Sequence, residues 1–214
     1  MNFPSPDPDC LRFLSIEGGD GAGKTTQIQL LTTALEGLGR KVTKVRDPGG
    51  TPLGDRLRSL LLDRPVAIDL RAEALLFFAS RAQLVSEQIR PALQRGEIVL
   101  TDRYTLSTFV YQGHAGGLNL AELDLASNLA TSGMEPSLCF LLDLDTNTAS
   151  TRRVRPEDHM ERLPRTFHDA VRNGFLTEAQ KPKRNILVLD AREDPLPLHK
   201  KILDRVKAHL GILS

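Results

Sequence analysis

Gly18-Gly19-Asp20-Gly21-Ala22-Gly23-Lys24-Thr25 decides the fold of this chain. The eight residues match the pattern G-x-x-x-x-G-K-[ST]. Before them, residues 11–17 (LRFLSIE) form an apolar run with strand character. After them, Ile28, Leu31, Leu35 and Leu38 fall on one stripe of a helix predicted over 24–38, and Gly37 and Gly39 are good terminators. Strand, glycine-rich turn and helix in that order make a cradle for phosphate. Glycines let successive backbone N–H groups converge on phosphate oxygens, and the helix start adds the positive end of its dipole. Gly18 to Thr25 together with Thr26 are therefore the candidate triphosphate-binding residues. In such a cradle Lys24 bridges the β and γ phosphates and the Thr25 hydroxyl ligates Mg²⁺.

Working outward, short apolar runs alternate with helical patterns. Strands are predicted at 42–46, 97–101, 138–142 and 185–189 in addition to the first. A short helix carries Leu57, Leu60 and Leu61, and a longer segment over 71–96 has Ala74, Phe78, Ala82, Val85 and Ile89 on one stripe, with a kink expected at Pro91. Another helix is predicted over 120–131 with Gly133 behind it, and a last one bears Ile202, Val206 and Leu210. This alternation predicts an α/β fold: three α/β/α layers around a five-stranded parallel sheet, the P-loop NTPase architecture. Residues 151–165 are different, dense in Arg with Pro156 and Pro164, and read as a mobile lid. Residues 1–10 (MNFPSPDPDC) read as a flexible leader, leaving 11–214 as a single domain.

The 214 residues carry a formal net charge of +1 with both signs spread along the chain, which gives no reason to expect a nucleic-acid or membrane partner. Cys10 and Cys139 lie in unlike surroundings and are predicted to be unpaired thiols, in keeping with a cytoplasmic protein. No apolar run is long enough to cross a bilayer.

The cradle alone does not separate GTPases, ATPase motors and small-molecule kinases. The chain lacks the Asn-Lys-x-Asp tetrad that reads guanine and is short for a motor. Ligands of open parallel sheets bind at the carboxyl ends of the strands. Asp102-Arg103-Tyr104 follows such an end, so Asp102 is a candidate group near Mg²⁺ and Arg103 a candidate phosphate fork. Arg46-Asp47-Pro48-Gly49-Gly50-Thr51-Pro52 follows another. Phe77 and Arg81 lie one helical turn apart and share a face, where a ring could stack on a base and a guanidinium could reach its edge.

The set GGDGAGKTT (18–26), RDPGGTPLG (46–54), LRSLLLD (57–63), LLFFASRAQLV (75–85), DRYTLSTFVYQG (102–113) and LDLD (142–145), in this order, resembles the thymidylate kinase family. The resemblance runs from about residue 12 to 191. It implies ATP-dependent phosphorylation of dTMP to dTDP with Mg²⁺, in a homodimer packed through helices such as the one carrying Ala74, Phe78 and Ala82. It further implies that Phe77 stacks on thymine, Arg81 bonds the carbonyl edge, Arg103 clamps the 5′-phosphate and Thr108 touches the base. Tyr111 would crowd the 2′ position, with Gln112 beside it. Asp47 and Pro48 would line the acceptor pocket, and Asp20 would reach the sugar or metal-bound water. Asp102 and Thr25 would hold the metal. Gly21 stands where one branch of the family has a cradle Arg, so the phosphoryl-stabilising Arg is expected in the lid, where Arg155 and Arg162 are the candidates and Arg152 is assigned to ATP. Asp47 stands where the family usually has Glu. Two other readings remain: a kinase for another pyrimidine monophosphate such as dUMP, and an ATP-binding sensor without turnover.

Overall fold

The structure, a computed structural model, describes residues 8–63, 66–152, 159–182 and 184–212. In chain order the elements are β1 (Phe13–Gly18), α1 (Lys24–Gly37), β2 (Val42–Arg46), α2 (Pro52–Asp63), α3 (Leu70–Leu84), α4 (Arg90–Gln94) and β3 (Ile98–Asp102). They continue with α5 (Thr105–Thr108), α6 (Leu120–Thr131), β4 (Leu138–Asp143), α7 (Thr146–Thr151), α8 (Arg165–Ala179), β5 (Ile186–Asp190) and α9 (Pro195–Leu210).

All five strands are parallel, in the order β2-β3-β1-β4-β5. The central strand β1 is buried along its whole length. Its side chains alternate between layers, as the pleat requires. Leu14 and Ile16 pack with Leu31 and Leu35 of α1 and Ile202 and Val206 of α9. Phe13 points the other way, to Leu84, Val85, Ile89 and Leu93. On that second face, Cys139 and Leu141 of β4 meet Val171 and Phe175 of α8. The predicted three-layer fold is thus the observed one. Each large apolar side chain enclosed this way contributes roughly 1.5–3 kcal/mol. A polar residue on β1 costs stability unless its hydrogen bonds are met, and β1 carries two, Ser15 and Glu17, both buried.

Several expectations are revised. Of the predicted leader, residues 1–7 lie outside the described residues, while Pro8–Arg12 forms a 3-10 turn and Cys10 is buried beside Tyr104 and Phe13. The break in the long helical segment precedes Pro91. Val85–Ile89 forms a π-helical turn in which the Arg90 amide donates to the Val85 carbonyl. Pro91 lacks an N–H and its ring crowds the carbonyl four residues back, so the turn widens. A second π-helical turn, Phe109–Ala115, continues α5. The stripe of Ala74 and Phe78 packs against Phe109 and Leu123 inside the chain. Neither Cys10 nor Cys139 is in a disulfide, and both are buried. Among the described residues, no helix is long and apolar enough to cross a membrane.

Candidate active site

A cavity of about 1300 Å³ lies over the carboxyl ends of the strands. Single small-molecule sites usually enclose about 300–1,000 Å³, so this one has room for two ligands of nucleotide size. Toward α9 it is lined by Gln27, Arg152, Ala191, Asp194 and Leu198, and toward α3 by Pro48, Phe77, Arg81, Thr108 and Tyr111. The cradle residues Asp20 to Thr26 run between the two.

The cradle curls tightly because its glycines can. Gly18 has φ 137° and an added Cβ would lie 2.5 Å from the Leu142 carbonyl oxygen; at Gly21, with φ 78°, it would lie 2.8 Å from that of Ala149. Any larger residue would push the loop off β4 and α7. Lys24 opens α1 and is buried, its ammonium donating to the carbonyls of Gly18 (3.2 Å) and Gly19 (2.9 Å). Burial, then the neighbouring Arg103 guanidinium, lower its pKa from the ordinary lysine value. A cation held this way lacks a full counter-charge, which a phosphate would supply.

The turn after β3 meets the cradle directly. Arg103 donates through Nη1 to the Gly18 carbonyl (3.0 Å) and the Ser107 hydroxyl oxygen (3.2 Å), and through Nη2 to Asp20 Oδ1 (2.7 Å). Its guanidinium lies 5.2 Å from the Tyr111 ring centre. Its backbone has φ 68°, the left-handed region, which costs a non-glycine residue about 1–2 kcal/mol. The cost is offset by a buried carboxylate on the neighbouring strand. Glu17 Oε1 accepts from the Tyr104 amide (2.7 Å) and Oε2 from the Ser107 hydroxyl (2.6 Å). Burial pushes the Glu17 carboxyl up to about 7 against the pull of those donors and of Arg103. Sequence reasoning treated Glu17 only as the end of a strand.

The Thr25 hydroxyl donates to Asp102 Oδ2 at 3.4 Å, and Asp102 Oδ1 is buried without a hydrogen-bond partner among the described residues. An oxygen pair with one orphaned carboxylate oxygen fits a hard divalent cation. Among the described residues there is no group of three or more His, Cys, Asp or Glu that could hold a metal ion. Mg²⁺ is commonly held by one or two carboxylates, with substrate phosphates and water completing its shell.

On the α3 side, Arg81 is fully enclosed. Its Nε and the Asp47 Oδ2 form a buried ion pair, while Nη2 donates to the Tyr104 carbonyl (3.3 Å) and to Thr108 Oγ1 (3.0 Å). Nη1 is buried and unpartnered among the described residues. Burial raises the Asp47 carboxyl from its ordinary value against the pull of Arg81. Asp47, expected to face the acceptor, spends one oxygen on Arg81. The peptide bond to Pro48 is cis, and the Pro48 carbonyl accepts from Arg58 Nη1 (2.9 Å). Arg58 also lines the cavity; the sequence reading saw only the leucines of its helix. Gln112 lines the cavity too and its amide donates to buried Glu73 (2.8 Å).

The lid candidates do not all join the site. Arg152 lines the cavity and donates to the Ala191 carbonyl (2.7 Å). Arg162 is exposed and is not among the cavity-lining residues, although Met160 is, and the His159 amide donates to the Leu62 carbonyl (3.2 Å). Arg155 lies outside the described residues.

Comparisons with known proteins agree on one family. The family described as Thymidylate kinase matches residues 16–202. The chain is 48% identical over 181 residues to the thymidylate kinase of Deinococcus radiodurans, covering 84% of this chain and 88% of that one. It is 39% identical over 200 residues to that of a Thermoanaerobacter species, covering 93% and 98%. The crystal structure of thymidylate kinase from Ehrlichia chaffeensis superposes with a TM-score of 0.76 at 29% identity, over 91% of this chain and 97% of that one.

Proposed function

The chain belongs to the thymidylate kinase family, and from that premise and the geometry of the cleft we propose that it phosphorylates dTMP to dTDP with ATP as donor. The observation that carries the reading is the contact between the two halves of the site. Arg103, at the end of β3, bonds both the Gly18 carbonyl and Asp20 of the cradle, so a group gripped by Arg103 sits beside a phosphate tail held by Lys24.

In this mechanism ATP lies with its phosphates on the amides of Gly19 to Thr25 and its base toward Ala191 and Leu198, with Arg152 alongside. Phe77 and Arg81 take up the thymine, Arg81 through its unpartnered Nη1. Thr108, whose oxygen already accepts from Arg81, keeps its hydroxyl hydrogen to donate. Tyr111 closes the sugar's 2′ side, with Pro48, Asp47 and Gln112 as the surrounding wall. Arg103 holds the 5′-phosphate for in-line attack, and Asp20 lies between Arg103 and Lys24, 2.7 and 4.0 Å away, to reach the sugar or a water. A Mg²⁺ ion beside Thr25 and Asp102 would neutralise charge on the transferring phosphates. Positioning and charge neutralisation suffice for a loose phosphoryl-transfer state, and no covalent enzyme intermediate is needed. Water is a competing acceptor, so residues 151–165 act as a closing lid. Arg155 and Arg162 are its candidate catalytic cations.

A coupled ADP-release assay across nucleoside monophosphates tests the substrate. We expect dTMP to give the highest kcat/KM, dUMP less by about 10–200-fold for the missing methyl, and purine monophosphates almost nothing. Equal turnover of dUMP and dTMP would reassign the acceptor, and ATP binding without acceptor-dependent turnover would favour a sensor.

The protein acts as a homodimer in the cytoplasm. Cys10 and Cys139 are not joined in a disulfide, which supports a reducing compartment. Leu75 on α3 and Leu125 and Leu129 on α6 are 61%, 64% and 86% exposed on two helices that pack together. Apolar residues on neighbouring helices are the composition of a self-association surface. Leu129→Glu should convert a dimer to a monomer in light scattering; a wild-type monomer at assay concentrations would refute the surface.

A further inference from the structure

We propose that Glu17 is a positioning residue for the acceptor: its carboxylate fixes the turn 103–107 so that the Arg103 guanidinium faces the cradle. The inference rests on the reading of Arg103 as the acceptor-phosphate clamp.

The hydrogen-bond polarity carries it. The Tyr104 amide can only donate, and it donates to Glu17 Oε1 at 2.7 Å. The Ser107 hydroxyl has one hydrogen, and Glu17 Oε2 takes it at 2.6 Å. The Ser107 oxygen is thereby committed to accepting, and what it accepts is Arg103 Nη1 at 3.2 Å. One carboxylate therefore pins the backbone on one side of Arg103 and sets the direction of the hydrogen bond that steers its side chain. Arg103 itself is held in left-handed backbone, a conformation that persists only where its surroundings over-determine it.

Glu17 is costly where it is. It is wholly buried on the face of β1 that carries Phe13. The charged and titratable groups around it are Lys24 from α1, Arg103 from the turn, Tyr111 from the helical turn beyond α5 and Cys139 from β4. Its carboxyl titrates near 7, above the ordinary 4.5. The folded state thus binds the proton more tightly, and the stability contributed by this group is lost as pH rises from about 4.5 through 7.

Glu17→Gln separates positioning from stability. The glutamine oxygen must face the Tyr104 amide, so its NH₂ meets the Ser107 oxygen and competes with Arg103 for it. Lys24 stays fixed by its two carbonyls. At pH 8 we expect Glu17→Gln to weaken dTMP binding by isothermal titration roughly tenfold or more, the scale of a charge-assisted hydrogen bond. ATP binding should stay within about twofold and the thermal midpoint should not fall. Ser107→Ala, which removes only a hydroxyl, should give the same split at smaller size, and it decides the matter if Glu17→Gln does not fold. Unchanged dTMP affinity in both variants would overturn the proposal. So would equal loss of ATP and dTMP affinity accompanied by a lower midpoint. Failure of the wild-type protein to bind dTMP at all would instead count against the kinase reading, and the positioning role would fall with it.

Discussion

Lys24→Ala is expected to lower kcat/KM by about a thousandfold or more while the chain remains folded. Three orders of magnitude correspond to about 4 kcal/mol of lost transition-state stabilisation. The ammonium is positioned before substrate arrives: the carbonyls of Gly18 and Gly19 fix it at 3.2 and 2.9 Å, so little reorganisation is spent when charge shifts between the β and γ phosphates. The loss should therefore fall more on kcat than on KM for ATP, since amides of the cradle still bind the ground-state phosphates. Stability should barely suffer. Burial and Arg103 both disfavour the charged lysine in the ligand-free protein, so its removal relieves repulsion even as it deletes two hydrogen bonds. For a chain of this size 1 kcal/mol moves the thermal midpoint by about 2–4 °C, and a shift within that range is expected. Lys24→Arg sharpens the test. It keeps the charge but brings a planar fork to a place built for a compact ammonium, and we expect about a hundredfold loss or more. ADP-release kinetics and thermal melts on both variants check this. Activity of Lys24→Ala within tenfold of wild type would contradict the role given to the cradle.

The cradle was legible in the sequence because its chemistry is local: the spacing of glycines, lysine and threonine fixes the turn, and the flanking periods fix strand and helix. Strand β2 was read at its observed bounds, and β4 within one residue: β4 is a short apolar run, and β2, with β-branched Val42, Thr43 and Val45, lies between Gly39 and the Pro48-Gly49 turn. Helix α8 was not foreseen. Gly174 interrupts its pattern, and the reason lies far away in sequence: a Cβ there would come within 2.8 Å of the His114 side chain. The partners of Glu17 and of Asp47 were not legible in the sequence, for a shared cause. A carboxylate's partners are set by which strand ends lie side by side, and β1 meets β3 only through the crossover. Sequence placed Asp47 in the loop after β2, but could not say that Arg81 from α3 would claim its oxygen. Arg58 was hidden in a leucine-rich helix, where a lone Arg reads as solvated until the fold turns it to the Pro48 carbonyl.

That buried pair carries the second large effect. Asp47→Ala is expected to destabilise the protein by about 3–5 kcal/mol, because it strands the Arg81 guanidinium in the interior without its ion-pair partner. The thermal midpoint should then fall by roughly 6–20 °C at 2–4 °C per kcal/mol. Arg81 would keep the Tyr104 carbonyl and the Thr108 hydroxyl oxygen, both bonds made by Nη2. It would lose the anchor on Nε that fixes the plane of the fork. A guanidinium free to rotate cannot hold Nη1 toward a base edge, so affinity for dTMP should fall as well, by about tenfold or more, with ATP affinity little changed. Stability and binding can be separated by removing both charges. In Asp47→Ala/Arg81→Met nothing charged remains enclosed, and replacing a buried ion pair by apolar groups is often neutral or stabilising. The double variant should therefore recover most of the lost midpoint while binding dTMP no better than Asp47→Ala does. Recovery of both properties would mean that Arg81 does not touch the acceptor. Recovery of neither would mean that Asp47 supports the loop 47–52 on its own account, with Arg81 merely adjacent.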